Sequence, residues 1–470
     1  MSGKLAGLLH GWLLASPNPI AEATSGASFA GSEIAALAER AAAALRAGGL
    51  EPDEPVHVTI ANRPADIGAI LGVWLAGGVV VPVHQSAAAA TVAALTAATG
   101  ARFRLDEAEL ARIGEAAPPA RPELAGAALV IFTSGTTGAP KGVVLGHDAL
   151  AGKIEALDRL IGVTRDDVVA LPLQLIFIFG VWASLLAIRA GAKLVLVQKF
   201  TPPTMARLLA EEATVLGAVP SMIRALLAGD AGPAPRLRAV LTGGEVLGPS
   251  LGERLADAWP DAGVFDLYGL TETGSCDFVL APGASREGAG SVGVPTEGVD
   301  YRLVRDDGLE ASAGETGELR IRTPFGMNGY LGAPDLTAQS FADGFFRTGD
   351  LARRRADGRV ELVGRSKEII SRGGNKISPI EVENMLCAHA DVAAALCAGV
   401  PDERLGEAIH AVVVLKRGAA ASADDLRAWA AQRIERFKIP DVIAFADALP
   451  IGATGKASRA AIRAMHGPAS

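Results

Sequence analysis

Short apolar runs alternate with longer Ala- and Leu-rich stretches over the first 270 residues of the chain. The β-branched runs at 56–60, 79–83, 128–132, 168–171, 193–197, 214–219 and 239–242 read as buried strands. Segments between many of them, such as 65–76 and 204–213, read as helices. Alternation of this kind predicts an α/β fold with parallel-rich sheets and flanking helices. A further apolar stretch, 5–15, follows Lys4. Gly7, His10 and Gly11 interrupt it and no clear small-residue cleavage site follows, so it is expected to dock as a helix rather than serve as a targeting segment.

After Tyr268 the texture changes. Residues 301–304 and 318–322 read as strands, and Asp357-Gly358 within 353–362 is a hairpin signal. This predicts a small β-rich part at about 275–365. A third texture begins near 366. Residues 367–371 read as a strand, followed by Arg372-Gly373-Gly374-Asn375. Ser378-Pro379-Ile380-Glu381 has the order of a helix start: a hydroxyl cap, proline at the first helical position, and Glu three residues after the cap. Residues 411–415 read as a strand and 422–436 as a helix with Asp424 and Asp425 in its first turn. The expected domains are a large one over 1–365, which includes the β-rich part, and a smaller α+β one over 366–470.

Composition narrows the function classes. Of 470 residues, 50% are hydrophobic and 20% charged, which excludes a disordered chain. A net charge of −8 without a basic stripe argues against a nucleic-acid partner. Three cysteines, an odd number without metal spacing, fit a reducing, cytoplasmic setting. No apolar run reaches the roughly 18 residues of a membrane span, so no membrane partner is expected.

The strongest chemical signal is Thr133-Ser134-Gly135-Thr136-Thr137-Gly138-Ala139-Pro140-Lys141-Gly142, directly after the 128–132 strand. Glycines let the backbone approach a ligand, hydroxyls add donors, and successive N–H groups with Lys141 make an anion nest. Polyphosphate is the natural guest. The loop is not a Walker sequence, because Lys141 follows Pro140 and precedes Gly142. A second signal is Asp266-Leu-Tyr268-Gly269-Leu270-Thr271-Glu272 at the end of another apolar run. A carboxylate beside polyphosphate calls for a cation between them, and Mg²⁺ held by one carboxylate plus phosphate oxygens meets that need. Gly243-Gly244-Glu245 ends a further strand, where Glu245 serves equally as a helix-start charge. Thr348-Gly349-Asp350 and Gly364-Arg365 flank the hairpin, and Lys456 stands in a Gly-rich stretch near the C-terminus. Aspartate suits two ribose hydroxyls, and arginine can bridge sugar and phosphate.

In order and spacing these motifs, from about residue 30 to 463, resemble the adenylate-forming superfamily of acyl- and aryl-CoA synthetases, adenylation domains and luciferases. The resemblance implies an ATP-dependent acid–thiol ligase with a mobile C-terminal domain. It implies that residues 133–138 and Lys141 bind phosphates, and that Glu272 and Thr136 hold Mg²⁺. It further implies that Thr271 contacts the α-phosphate, Tyr268 lies against adenine, and Asp266 meets its amino group. Gly243, Gly244 and Glu245 would wall the adenine, Asp350 and Arg365 would hold the ribose, and Lys456 would bridge acid and α-phosphate. Lys367 matches the hinge, and Arg372, Gly373 and Gly374 match the loop that lines the thiol tunnel. Coenzyme A is the implied acceptor; a carrier-protein thiol and a non-catalytic nucleotide-binding role are the alternatives. The oligomeric state is open.

The acid pocket is expected at Phe177, Ile178, Phe179, Gly180, Gly244 and Leu270. Placing Val181-Trp182 against adenylation domains puts Ile178 where amino-acid enzymes carry an aspartate, so an ammonium group would be buried unpaired. The small-molecule acid is therefore expected to be aromatic, alicyclic or otherwise compact with an uncharged body. Asp277 stands near enough in sequence to face the same pocket and favour a hydroxylated or basic ring.

Overall fold

The computed structural model describes residues 3–116, 118–133, 140–229, 231–284, 287–451 and 457–466. Two large sheets share one core. The seven-stranded sheet runs in the order Gly329–Tyr330, Lys141–Gly146, Ala127–Thr133, Val79–His84, Pro55–Ile60, Phe103–Asp106, Glu109–Arg112, with its middle four strands parallel. The nine-stranded sheet has six parallel strands, in the order Gly263–Tyr268, Ala239–Gly243, Val215–Ala218, Val168–Leu171, Lys193–Leu196, Ile20–Glu22. Helices Lys4–Ala15, Gly31–Ala47, Pro64–Ala76, His147–Ile161 and Ile178–Ala190 fill the space between the sheets. Parallel strands buried on both faces must be apolar throughout, which is why they appear as runs rather than as alternation. The N-terminal helix docks through Leu5, Leu9 and Leu13, all buried. Helices Pro202–Glu211, Pro220–Ala228 and Pro249–Ala258 cover the outer face of the nine-stranded sheet.

The β-rich part is an antiparallel sheet of Asp300–Val304, Thr316–Arg322, Phe345–Arg354, Val360–Arg365 and Phe341–Ala342, with Leu319, Ala352 and Val360 at its core. The Asp357-Gly358 turn joins Phe345–Arg354 to Val360–Arg365, with Gly358 at φ +82°. The C-terminal part has its own sheet, Asn375–Ile377, Ile370–Arg372, Gly406–Leu415 and Val392–Asp402, extended by Val442–Phe445 parallel to Gly406–Leu415. Pro379–Cys387 and Ala423–Ala431 pack on one face and Arg459–His466 on the other. Ser378 caps its helix as its sequence implies, its hydroxyl accepting from Glu381 N at 3.2 Å.

Two expectations are corrected. The 367–371 strand starts only at Ile370; Lys367 lies in a turn closed by Glu368 N donating to Arg365 O at 2.9 Å. The 422–436 helix stops at Ala431. Beyond it the chain must return for Val442–Phe445 to join the sheet beside Gly406–Leu415. No helix among the described residues is long and apolar enough to cross a membrane.

Candidate functional site

A cleft of about 1700 Å³ opens where the nine-stranded sheet, the antiparallel sheet and the C-terminal part meet. Thr133 ends one strand and Lys141 begins the next, paired Thr133 to Lys141, so both ends of the expected phosphate loop reach the cleft. Ser134, Gly135, Thr136, Thr137 and Gly138, and likewise Lys456, lie outside the described residues. Lys141 Nζ stands 5.3 Å from the centre of the Tyr330 ring.

Strand Gly263–Tyr268 delivers Asp266 and Tyr268, and a single helical turn, Thr271–Thr273, presents Thr271 and Glu272. The Tyr268 hydroxyl donates to Asp350 Oδ2 at 2.6 Å, and Arg365 Nε donates to Asp350 Oδ1 at 3.0 Å. Asp350 and Arg365 are direct partners across the antiparallel sheet, which places the two side chains together. Burial outweighs the arginine and holds the Asp350 carboxyl above its ordinary range. The Tyr330 hydroxyl donates to Glu272 Oε1 at 3.0 Å. Tyr330 is a site residue that sequence reasoning missed, since a phenol after a glycine carries no local cue.

Glu272 suits a magnesium ion. A carboxylate offers about four acceptor sites and Tyr330 uses one. Among the described residues no cluster of three His, Cys, Asp or Glu could hold a metal.

Other expected residues fall differently. Glu245 accepts from Ser221 N at 2.9 Å and Ser221 Oγ at 3.0 Å, so it caps helix Pro220–Ala228 while facing the cleft. Gly244, Gly269 and Leu270 line the cleft; Gly243 lies behind it, packed against the carbonyl of Leu267. Of the four residues at 177–180, only Phe177 reaches the cleft wall. The helix starts at Ile178, whose side chain enters the core, and Phe179 stacks on Trp182 at 4.8 Å. A Cβ on Gly180 would stand 2.3 Å from the carbonyl of Gln174, so that position serves close packing. Asp277 does not line the cleft: it is fully buried, near Lys153.

Lys367, Glu368, Leu449, Ala457 and Arg459 close the cleft from the C-terminal side. Arg372 is turned away, bound to Asp441 at 3.0 Å and to the carbonyl of Phe437 at 2.9 Å; Gly373 and Gly374 follow it out of the cleft. His147, which follows the loop, packs edge-on to Trp74, and burial lowers its pKa to about 4.

Asp266 yields a prediction. Desolvation pushes its carboxyl up to about 7. Between about pH 4, where a free carboxyl titrates, and pH 7, the folded chain holds a proton that the unfolded chain releases. Stability contributed by this group is thus present at low pH and lost as pH rises through that window. Asp266→Asn should flatten this part of the pH dependence of the thermal midpoint, measured without nucleotide; equal slopes for both proteins would contradict it.

Two helix-lined sheets, an antiparallel third and a C-terminal α+β part around such a cleft define the class of two-domain adenylate-forming enzymes. A model of AMP-binding enzymes matches residues 15–121 and 104–331, and a model of the AMP-binding enzyme C-terminal domain matches 381–456. The chain belongs to the AMP-binding enzyme family. It is 32% identical over 480 aligned residues to a feruloyl-CoA synthase of Amycolatopsis, covering 96% of this chain and 97% of that one. It is 31% identical to the fatty acid–[acyl-carrier-protein] ligase ScoC of Streptomyces coeruleorubidus, covering 90% and 89%. The ATP-bound structure of MatB from Rhodopseudomonas palustris superposes with a TM-score of 0.87 at 25% identity, covering 99% of each chain.

Proposed function

We propose that the chain activates a compact acid with an uncharged body, aromatic or alicyclic, as an acyl-adenylate and then passes the acyl group to the thiol of coenzyme A. One observation carries this reading: the bonded set Tyr268–Asp350–Arg365 faces the same cleft as Lys141, Thr271 and Glu272. A sugar-binding carboxylate and a phosphate-binding set then lie across one nucleotide.

In this reading Asp350 accepts the ribose hydroxyls on its remaining lone pairs, and its bond to the Tyr268 hydroxyl fixes the ring against adenine. Asp266 accepts from the adenine amino group, and Arg365 bridges ribose and α-phosphate. Gly244 and Glu245 wall the base. The 134–138 loop, Thr133 and Lys141 cradle the β- and γ-phosphates. Thr271 meets the α-phosphate. Mg²⁺, when bound by Glu272 and Thr136 with the phosphates, neutralises charge on the leaving group. The acid's carboxylate oxygen attacks the α-phosphorus, the bond to the β-phosphate breaks, and pyrophosphate leaves. Lys456 stabilises the pentacovalent charge. The chain divides at 365/366 into two domains; the smaller then turns about Lys367 and brings Arg372, Gly373 and Gly374 to the thiol's path. The thiol sulfur attacks the acyl carbon, its proton is lost to solvent, and AMP leaves.

For the acid, Phe177, Leu270 and the bare backbone of Gly244 offer apolar surface worth about 25 cal/mol per Å² buried to a flat ring. The likeness to a feruloyl-CoA synthase supports a ring. Acid-dependent ATP–pyrophosphate exchange with benzoate, a hydroxybenzoate, cyclohexanecarboxylate, hexanoate, malonate and phenylalanine tests it. Ring acids should lead; preference for malonate or phenylalanine would overturn the uncharged body, and preference for hexanoate the ring. The ScoC relative favours a second acceptor, a carrier-protein thiol. Thioester formation with coenzyme A compared with loading of a carrier protein decides between them.

A further inference from the structure

A buried charge pair lies beneath the Thr271–Glu272 turn. Lys153, on helix His147–Ile161, and Asp277 are both fully buried, with Nζ 3.9 Å from Oδ1. Lys153 Nζ donates to the carbonyl of Cys276 at 3.2 Å and stands 4.8 Å from the centre of the Phe325 ring. The other carboxylate oxygen of Asp277 accepts from the hydroxyl of Thr273. Among the described residues Oδ1 accepts no hydrogen bond, so the ammonium is its counter-charge. Burial acts against both charges, lowering the lysine pKa and raising the aspartate's to about 6.

The backbone here is unusual. Gly274, Ser275 and Cys276 have φ of +79°, +68° and +52°, three successive left-handed residues of which two carry side chains. Such a turn persists only where its surroundings over-determine it. Gly274 also has no room for a side chain, since a Cβ would stand 2.3 Å from the carbonyl of Phe325. The 325–327 segment in turn holds Glu272, whose backbone carbonyl accepts from Met327 N at 2.8 Å. Lys153 thus touches both segments that frame Glu272: the left-handed turn through Cys276 and the 325–327 segment through the Phe325 ring. Neighbours Leu150, Ile154 and Leu157 on its helix are apolar and buried, so packing alone would be served by methionine.

We propose that Lys153 is a positioning residue for adenylation, which through the Cys276 carbonyl, Asp277 and Phe325 fixes the turn that aims Thr271 and Glu272 at the phosphates of ATP. The proposal rests on the nucleotide-site reading above.

The test uses the full chain as Lys153→Met, Asp277→Asn, the double variant, and Glu272→Ala as a control. Lys153→Met leaves Asp277 as a lone buried charge and should lower the thermal midpoint by roughly 5 °C or more. The double variant buries no charge and should recover most of that midpoint. Its pyrophosphate-exchange kcat should nonetheless stay roughly tenfold or more below wild type, because the turn has lost its cross-strut. Calorimetric binding of a non-hydrolysable ATP analogue with Mg²⁺ should weaken in parallel. A double variant with wild-type kcat and nucleotide affinity would make the pair merely structural and overturn the proposal, provided Glu272→Ala is inactive. Full exchange by Glu272→Ala would instead overturn the underlying site reading, and this proposal with it.

Discussion

Lys456→Ala should lower acid-dependent pyrophosphate exchange by roughly 100- to 1,000-fold or more while leaving thioester formation from supplied acyl-adenylate near wild type. A single cation aimed at charge that develops in the transition state has an effect of this order in a closed site. The chain enters and leaves the segment that carries Lys456 at the cleft: Leu449 and Ala457 line it, Ile451 and Ala457 form a bridge, and Ser458 N donates to Pro450 O at 2.8 Å. Just beyond, Arg459 binds Glu383 and Glu368 at 2.9 and 3.0 Å and donates to the carbonyl of Cys397 at 3.0 Å. The downstream end of the segment is thereby tied to the C-terminal sheet and to the turn that holds Lys367. In the proposed reading a C-terminal domain that turns as one body would carry Lys456 with it, and the second half-reaction would then proceed without that lysine. Both half-reactions can be followed on the same preparation, with pyrophosphate exchange for one and thioester yield from synthetic adenylate for the other. Equal loss of both in a folded protein would show that Lys456 does not act in one half-reaction alone.

What local pattern could and could not reveal follows from the range of the interactions. The parallel strands were readable to within a residue or two because burial on both faces leaves only apolar residues in them. Ser378 was readable as a cap because a cap is a contact within three residues. Ile178, Phe179 and Gly180 failed as pocket residues for a register reason. A helix begins at Ile178 and packs into the core, so only Phe177, the extended residue just before it, reaches the cleft. Asp277 was expected at the pocket because it stands close in sequence to Leu270 and Glu272. Its true partner, Lys153, is more than a hundred residues earlier, and no spacing rule links them. Tyr330 meets Glu272 across 58 residues, through a strand that joins the seven-stranded sheet at its edge. Local chemistry is thus visible in sequence, while the side chains that hold it in place come from elsewhere in the fold.

Asp350→Ala should raise the KM for ATP by roughly 100-fold and, unlike Lys456→Ala, impair both half-reactions. The carboxylate is 4% exposed and is shared by the Tyr268 hydroxyl and Arg365. Its removal takes away the acceptor proposed for the ribose and frees the two side chains that frame the nucleotide. A hundredfold change corresponds to about 2.7 kcal/mol, the scale of two charge-assisted hydrogen bonds. The acyl-adenylate carries the same ribose as ATP, so thioester formation from supplied adenylate should weaken too. Folding stability should fall as well, because the Tyr268 hydroxyl is left without its acceptor. The Arg365 side chain is 53% exposed, so solvent takes up much of its charge and the stability loss should stay near 1–2 kcal/mol. Asp350→Asn separates the two contributions. The amide oxygen can still accept from Tyr268, but the ion pair with Arg365 is gone, so the midpoint should be nearly restored while the KM for ATP stays roughly tenfold high. A KM for ATP unchanged in Asp350→Ala, with the acid's KM raised instead, would move Asp350 from the nucleotide to the acid side of the cleft.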